Sequence, residues 1–581
     1  MGSKEEPTQV DSREGNPPSP ILAADDGHSS DSQNQIEQPA PKKPGKTHYP
    51  ASFWLAFLGL CCTGLVSALD GSIVATALPT IVAELKGGDN YVWVVNVYFL
   101  TSAALQPLYG QLADLWGRRY VMIGATIIFL LGSGLCGGAT SMNMLIGARA
   151  VQGVGAGGIN MLIDMIICDL VPMRERGNFI GLLFLFVSLG ATIGPFIGGI
   201  LTDRVTWRWV FYINLPFGGV ALILLILFLQ VRWKDELPAW ERLKRLDVVG
   251  NVILIGSTIA ILWALTYGGT RYTFQQANIV APLTIGLVGF VVAFFWEMSP
   301  WCKYPVMPPL HFKNRTSAAA FFISFMSLLI TFWINFFYPI YFQAVLEQSP
   351  TIAGVYTLPR AIVFPICAAI GGYIVTKTGR YKPIHLISTG IMPLVMGLSS
   401  ILDKDSSKAE WIFWQIFAGI GGGATISTTL QAVQAALPES EVATSTGTWS
   451  FVRSLGTIWG VSIPAAIFNN RFDQLSTEFD PELRSLFVRG QAYEHATADF
   501  IRSFDPATKQ LVIQAYTEAL KRVWQIGIVF AGVTFLVVFF EKEIHLRTEL
   551  DTEFGLDEKK KDAEVVENMQ DREAGRDSEN A

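Results

Sequence analysis

Apolar residues in this chain occur in runs of about 20, the length at which a helix crosses the hydrocarbon core of a bilayer. Short segments rich in charged residues separate the runs, and several runs contain Gly or Pro, which membrane helices tolerate. The pattern predicts fourteen spans, with approximate limits 52–77, 91–113, 120–139, 143–169, 178–202, 208–230, 247–268, 279–299, 317–342, 351–376, 383–402, 410–436, 442–469 and 523–540.

The composition agrees with this pattern. Apolar residues make up 50% of the chain and charged residues only 16%, against about 25% charged in soluble domains. The predicted fold class is therefore an all-α polytopic membrane protein. Residues 1–50 and 546–581 lack an apolar core, and we expect both to be disordered tails, the second of them acidic.

Lys and Arg near the span ends predict the orientation. They concentrate before span 1 and after the even-numbered spans, as with Arg118 and Arg119 after span 2 and Arg174 and Arg176 after span 4. Both termini are therefore expected in the cytoplasm, with the long segment 470–522 outside. Amphipathic stretches in that segment favour a small cap of helices, although a plain connector fits as well. The net charge of −6, with no concentrated basic face, argues against nucleic-acid binding.

A weak internal repeat divides the chain. The sequence GQLADLWGR at 110–118 parallels GYIVTKTGR at 372–380, and two further glycine-containing segments recur in the same order at a similar offset. We predict an N-terminal six-helix half at 51–230, two inserted helices within 231–300, and a C-terminal six-helix half at 301–545. Two like halves around a cavity are typical of transporters in which one half rocks against the other.

Three of the charged residues inside predicted spans are candidates for proton coupling, because a charge there is costly and usually marks a pathway or a proton relay. Asp70 lies in span 1, and Arg149 and Asp164 lie in span 4. Counting ~1.5 Å per residue places Asp70 and Arg149 at similar depth in the outer half of the membrane. We predict that they form a buried pair and that protonation of Asp70 frees Arg149. A static structural pair is the alternative. Asp164 is a further candidate for proton or substrate contact.

Two segments are candidates for conformational gating. In the turn after span 2, Asp114 can pair with Arg118 or lie at a helix N-terminus of the other half, unless the turn is an ordinary charged one. In span 5, glycines spaced by four predict close helix contact, and the proline should bend the helix, so that span 5 is either a pivot between the halves or simply well packed. The candidate residues are Gly110, Asp114, Gly117, Arg118, Gly190, Gly194, Pro195, Gly198 and Gly199.

Polar and aromatic side chains within spans are candidates for substrate contact. Aromatic rings crowd span 9, and those that face inward would suit bulky, partly apolar molecules, although rings that face lipid are the commoner case. The candidates are Asn96, Gln106, Gln152, Asn335, Phe336, Tyr341, Arg360, Gln431 and Arg453.

Four segments together resemble a known family. The sequence GQLADLWGRR at 110–119 resembles the signature loop of the major facilitator superfamily, and RAVQGVGAG at 149–157 resembles its span-4 motif, which is linked to proton coupling. GATIGPFIGG at 190–199 is similar to the span-5 antiporter motif of exporters. LDGSIVATALP at 69–79 resembles the span-1 signature of the fourteen-span drug:proton antiporters, with departures at Ser72, Ala75 and Thr76. The resemblance covers about residues 50–545.

The resemblance implies a fold of two six-helix halves plus two inserted helices, and a function in export. The tails and the long last external loop look like those of fungal members, which export toxins and other secondary metabolites by proton antiport. A proton-coupled carrier for a siderophore or a basic amino acid is the alternative. The resemblance also implies a monomer in the plasma membrane or the vacuolar membrane. In the second half, Thr376 stands where Asp114 stands in the first, and Gln415 aligns with Arg149.

Other function classes find little support in the residues. A primary pump needs a nucleotide site, and GKT at 45–47 lacks the first glycine of a P-loop because Ala40 occupies that position. A membrane-embedded enzyme needs a catalytic or metal cluster, and none of the six histidines lies in mid-span or clusters with Cys or carboxylates as such a site would. A sensor built on a transporter fold would carry a large soluble tail. We therefore predict no cofactor, no metal and no enzymatic activity.

Overall fold

A computed structural model describes residues 49–85, 92–231, 238–268, 272, 275–438, 441–487, 492 and 495–546. The described residues are helical almost throughout, and the only extended pairing among them is an isolated bridge between Gly268 and Tyr272. The two predicted tails lie outside the described residues, apart from short stretches next to the first and last helices.

The first part of the chain contains eight helices and then a helical pair. The eight are α1 (Ala51–Leu85), α2 (Val92–Ala104), α3 (Gln106–Trp116), α4 (Arg118–Gly137), α5 (Met142–Leu170), α6 (Met173–Arg204), α7 (Trp209–Tyr212) and α8 (Asn214–Phe228). The short α9 (Ala239–Lys244) leads into the pair α10 (Val248–Tyr267) and α11 (Ala277–Met298).

The second part repeats the arrangement. Its helices are α12 (Leu310–Lys313), α13 (Arg315–Ile340), α14 (Pro350–Tyr356), α15 (Leu358–Thr378), α16 (Lys382–Ser399), α17 (Lys408–Ile426), α18 (Thr429–Ala435), α19 (Val442–Leu475), α20 (Pro481–Ser485), α21 (Ala498–Arg502) and α22 (Pro506–Val538). A π-helical turn, Tyr341–Val345, extends α13.

Twelve helices among the described residues are long and apolar enough to cross a membrane. Predicted spans 2 and 11 are not among the twelve. Span 2 corresponds to α2 and α3, which Leu105 separates, and span 11 corresponds to α16. The count of fourteen spans therefore stays a prediction. The last two spans extend further than predicted, because α19 continues to Leu475 and α22 begins at Pro506. The connector between them is accordingly shorter than 470–522 and carries α20 and α21.

The helices alternate in direction, so the bundle has two ends. We call the end with Asp114 and Arg118 the basal end, and the end with Glu84 and Arg208 the distal end. Gly117, between α3 and α4, has φ 85°, a conformation that glycine adopts at little cost, and this allows the tight turn at the basal end.

The N-terminal half (α1–α8) and the C-terminal half (α12–α22) meet at the basal end. There α6 packs along α15, and α5 and α3 pack against α19. Two glycines approach closely there, since a side chain on Gly372 would overlap the carbonyl oxygen of Gly177. The largest buried apolar cluster contains residues of both halves, including Met161, Ile180, Val375 and Leu430. The described structure is therefore closed at its basal end.

Candidate functional site

A sealed polar cluster lies inside the N-terminal half. The Arg149 guanidinium Nη1 lies 2.6 Å from Oδ2 of Asp70, and both side chains are fully buried. Gln152 accepts a hydrogen bond from Arg149 at 2.7 Å and donates one to Asp70 Oδ1 at 2.8 Å. Asn214 donates to the same carboxylate oxygen at 2.7 Å. The predicted contact between Asp70 and Arg149 is therefore present, and its role in proton coupling stays a prediction.

The surroundings of the cluster explain why two charges can be buried together. Ser133 accepts hydrogen bonds from Gln152 and Asn214, and Arg149 Nε donates to the Val94 carbonyl at 3.0 Å. The Tyr98 ring lies 4.2 Å from the guanidinium carbon, a cation–π distance. A buried ion pair needs further hydrogen bonds to its remaining polar atoms. Val94, Gln152 and Asn214 supply such bonds here, whereas Arg149 Nη2 is buried without a hydrogen-bond partner. Sequence reasoning missed Asn214 and Ser133 because neither is charged.

The cluster corrects one substrate candidate. Gln152 was expected to contact substrate, but its side chain is fully buried and bonded to Asp70, Arg149 and Ser133. Gln152 therefore positions the ion pair and has no donor left for a ligand.

A second ion pair joins the two halves. Arg453 of α19 donates from Nη2 to Oδ2 of Asp164 on α5 at 2.9 Å. The Arg453 guanidinium also lies 4.1 Å from the Trp449 ring, while its Nη1 is buried without a partner. The sequence indicated the two residues separately, Asp164 as a candidate for proton coupling and Arg453 as a candidate for substrate contact. The structure brings them together across the contact between the halves.

Other candidates also lie in this contact. The Ser454 hydroxyl donates to Gln106 Oε1 at 2.9 Å, and Gln431 Nε2 donates to the Met173 carbonyl at 2.9 Å. Gln106 and Gln431 are both buried. Both were expected to contact substrate, and in this conformation they instead hold the halves together, because each meets a polar group of the opposite half.

The basal turn is more than an ordinary charged turn. Arg118 is buried and bridges two carboxylates, Asp114 at 2.8 Å and Asp169 at 2.9 Å. Gly110 lies against the Met161 methyl group, and Gly447 of the other half contacts the same methyl group. Asp169 was not among the residues predicted from the sequence. It lies at the end of the apolar run of span 4, where a carboxylate costs little free energy.

The span-5 glycines differ from expectation in their partner. Gly190 and Gly194 make close contacts, as predicted, but they pack on Leu65 and Ser72 of α1 in the same half. Gly198 is buried, whereas a side chain on Gly199 would meet nothing within 4 Å. One helix, α6, continues through Pro195. Contact between the halves instead involves the first turns of α6, where Gly177 and Gly181 meet α15.

The remaining candidates lie toward the distal end. Arg360 of α15 donates to Asn335 Oδ1 of α13 at 2.7 Å, and both Asn335 and Phe336 are exposed although they lie in an apolar helix. Asn96 is half-buried. Tyr341 is a correction, because it is buried and its hydroxyl donates to the Asp403 carbonyl at 2.8 Å, which makes it a structural residue.

Two histidines have partners that the sequence did not suggest. His385 is fully buried, with Nδ1 2.9 Å from Glu541 and Nε2 3.0 Å from the Thr428 hydroxyl. His311 lies 3.2 Å from Glu441. Each has one carboxylate, and among the described residues no group of three potential ligands could hold a metal ion.

Comparison with known proteins decides the family. The model of the Major Facilitator Superfamily matches residues 60–461. The chain belongs to the major facilitator superfamily. It is therefore an integral, multi-pass membrane transporter of small molecules and not an enzyme.

Several relatives within the superfamily are efflux transporters of fungi. The chain is 78% identical over 544 residues to the MFS-type efflux transporter phmH of Phaeosphaeria nodorum, with 92% of each chain covered. It is 64% identical to the MFS-type efflux transporter ffsH of Aspergillus flavipes, covering 92% of this chain and 93% of the relative. Efflux pump FUS6 of Gibberella moniliformis is 42% identical, with 91% and 95% covered. These relatives confirm the resemblance to fungal efflux members.

Solved structures share the fold of this superfamily member. The human organic anion transporter MFSD10 matches with a TM-score of 0.52 and 12% identity, covering 84% of this chain and 100% of the other. The proton:xylose symporter XylE matches with a TM-score of 0.51 and 14% identity, covering 78% and 96%. At this identity the likeness concerns the fold alone.

Proposed function

We propose that the chain exports small amphipathic organic molecules, such as secondary metabolites, toxins or drugs, in exchange for protons. The efflux names of relatives up to 78% identical support the direction of transport. The observation that carries proton exchange is the buried cluster of Asp70 and Arg149, because it places a titratable carboxylate inside a membrane helix beside one cation.

Alternating access would use the contacts between the halves. The described conformation is closed at the basal end, where Asp164 and Arg453, Gln431 and Met173, and Gly372 and Gly177 meet. Opening that end requires all of these contacts to separate. A rocking motion of two rigid halves would then expose one end of the cavity at a time.

Coupling would belong to the N-terminal half. Gln415 occupies the position in the C-terminal half that Arg149 occupies in the first, and its side-chain amide donates to the Tyr356 carbonyl at 2.8 Å. An uncharged amide does not titrate, so among the described residues the C-terminal half has no counterpart of the Asp70–Arg149 pair at this position. The C-terminal half is thereby left to bind substrate.

In this proposal the basal end faces the cytoplasm, as the Lys and Arg near the span ends favour. The protein would work as a monomer in the plasma membrane, with the vacuolar membrane as the second location. Both termini would then be cytoplasmic, and substrate would leave at the distal end.

Deleting the gene in its native host and profiling metabolites in cells and medium tests the direction and supplies the substrate. Accumulation in the cells with loss from the medium supports export, whereas the reverse supports a carrier for uptake. Purified protein in liposomes then tests coupling. An imposed pH gradient should drive the identified compound against its concentration, and movement that ignores the gradient would contradict proton exchange.

A further inference from the structure

The distal part of the C-terminal half contains a cation that lacks an anionic partner. Among the described residues, Arg149 and Arg453 within the spans each lie within 2.9 Å of a carboxylate. Arg360 has no carboxylate within ion-pair distance in the described part of the chain, and there its side chain bonds to the Asn335 amide oxygen instead. A guanidinium without a counter-ion at membrane depth is costly, so this exception calls for a functional explanation.

Arg360 does not face lipid. At 3.6 residues per turn, the exposed Ile362 and Ile366 lie about 160° and 120° around α15 from Arg360. Phe364, one turn further on the Arg360 side, packs against Gly422 of α17. The partly buried guanidinium therefore points toward the interior of the C-terminal half and α13, where its partner Asn335 lies.

The neighbouring surface of α13 is open. Most of α13 is enclosed, but Asn335 and Phe336 are exposed near its distal end. An amide would not be left facing lipid tails, since an unsatisfied polar group there is costly. The exposed side chains therefore border the space between the halves. Their partner Arg360 lies about 15 Å from Pro350, the distal start of the span that α14 and α15 form.

Hydrogen-bond chemistry indicates what this space would accept. Because a guanidinium only donates, Asn335 must present its oxygen to Arg360, and this turns the amide nitrogen outward. The pair then offers the remaining guanidinium N–H groups and the amide N–H groups, all of them donors. Phe332 and Phe336 stack beside them with ring centroids 6.2 Å apart. A set of donors next to apolar rings suits an anion attached to an apolar body.

We propose that Arg360 and Asn335 form a subsite for the acidic group of an amphipathic organic anion, such as a carboxylate, whose apolar part lies against Phe332 and Phe336. The inference rests on the proposed function in export and names its substrate class. A bound carboxylate would supply the counter-ion that Arg360 lacks among the described residues.

Matched probes test the subsite on the purified full chain in detergent. The probes are 2-naphthoate, 2-naphthamide and 2-naphthylmethylammonium, which share one ring system and differ in charge, and binding is followed by tryptophan fluorescence. The wild type should bind the carboxylate about ten- to a hundredfold more tightly than the amide. Arg360→Gln should remove that preference, and Arg360→Lys should retain part of it.

Two further variants keep the test decisive. Asn335→Asp supplies an internal carboxylate beside Arg360, so it should abolish the preference for naphthoate without removing the arginine, even if Arg360→Gln fails to fold. Arg380→Gln, which changes an exposed arginine just beyond α15, is the matched control and should leave the preference intact. Equal binding of naphthoate and naphthamide by the wild type, or an unchanged preference in Asn335→Asp, would overturn the subsite.

The outcome is independent of proton exchange. Binding in detergent needs no gradient, so an Arg360-dependent preference for naphthoate together with gradient-insensitive transport would contradict the coupling mechanism and keep the subsite. Conversely, proton-driven export that Arg360→Gln leaves unchanged, with no preference for naphthoate in binding, would support proton exchange and contradict the subsite.

Discussion

Asp164 of α5 and Arg453 of α19 lie 2.9 Å apart and form the ion pair that joins the two halves. Asp164 is 2% exposed and Arg453 only 12%, so the pair is shielded from water on both sides. Removing one partner leaves an uncompensated buried charge, which typically costs about 3–5 kcal/mol. The pair therefore biases the protein toward the conformation closed at the basal end.

Neutralising either partner should open the basal end. We expect Asp164→Asn and Arg453→Gln each to raise the reactivity of a cysteine placed at Gln106 toward a water-soluble maleimide, because Gln106 is buried in the same contact. The exchange variant Asp164→Arg with Arg453→Asp should restore protection. As a control, neutralising the exposed ion pair of Lys521 and Glu518 should leave the labelling unchanged. Unchanged cysteine protection in both single variants would contradict this bias.

The cluster around Asp70 should control the response to pH. Asp70→Asn and Arg149→Ala remove the titratable group or its counter-ion, so export in liposomes should no longer respond to a pH gradient. Arg149→Ala should also lower the free energy of unfolding by about 3–5 kcal/mol, because it leaves Asp70 charged and buried. Export that still follows the gradient in both variants would be incompatible with coupling through this cluster.

Much of this arrangement could be predicted from the sequence, and the reasons are physical. Long apolar runs fix the helices, and a charge inside such a run is rare enough to be recognised, so Asp70 and Arg149 could be paired from their depth alone. Asn214 and Ser133 are ordinary polar residues in the sequence, and only the fold brings them to Asp70. Contacts between the halves could not be predicted from the sequence either, since Asp164 and Arg453 are 289 residues apart in the chain.

Gly372 should tolerate no side chain at the contact between the halves. A methyl group there would overlap the Gly177 carbonyl, which belongs to rigid backbone, so Gly372→Ala should prevent full closure of the basal end. Overpacking of this kind typically costs about 1–3 kcal/mol. The same basal maleimide assay should show increased labelling. Gly199→Ala, at a position where the added atom meets nothing within 4 Å, should behave as the wild type.

The segment after α22 should stabilise the C-terminal half. Glu541 is buried against His385, the Tyr381 hydroxyl donates to the Lys542 carbonyl, and Lys542 N–H donates to the Thr316 hydroxyl at 3.1 Å. Ending the chain after residue 540 leaves these groups unpaired, at about 1–3 kcal/mol for each buried one. Thermal unfolding should therefore shift to lower temperature than in a chain ended after residue 546. Equal unfolding temperatures would show that the segment does not support the fold.

Glu441 should contribute to stability only above acid pH. The hydrogen bond from His311 holds the pKa of the Glu441 carboxyl below its ordinary value of 4.5. A carboxyl whose pKa is depressed by folding stabilises the protein above its unfolded-state pKa, and the contribution disappears as the pH falls through the folded-state pKa. The stability difference between wild type and Glu441→Gln should accordingly shrink as the pH falls below about 4.5. Exposed Glu478→Gln serves as the control, and a difference that does not change with pH would refute the assignment.

In the proposed transport cycle, the position of the Asp70 cluster within one half would separate two events in time. Its residues come from α1, α2, α4, α5 and α8, which all move together when the halves rock as rigid bodies. Rigid-body rocking of the halves therefore does not expose Asp70 to water, whereas it separates Asp164 from Arg453 directly. Proton access to Asp70 requires a further shift of helices inside the N-terminal half, so the two carboxylates would meet water at different moments of the cycle.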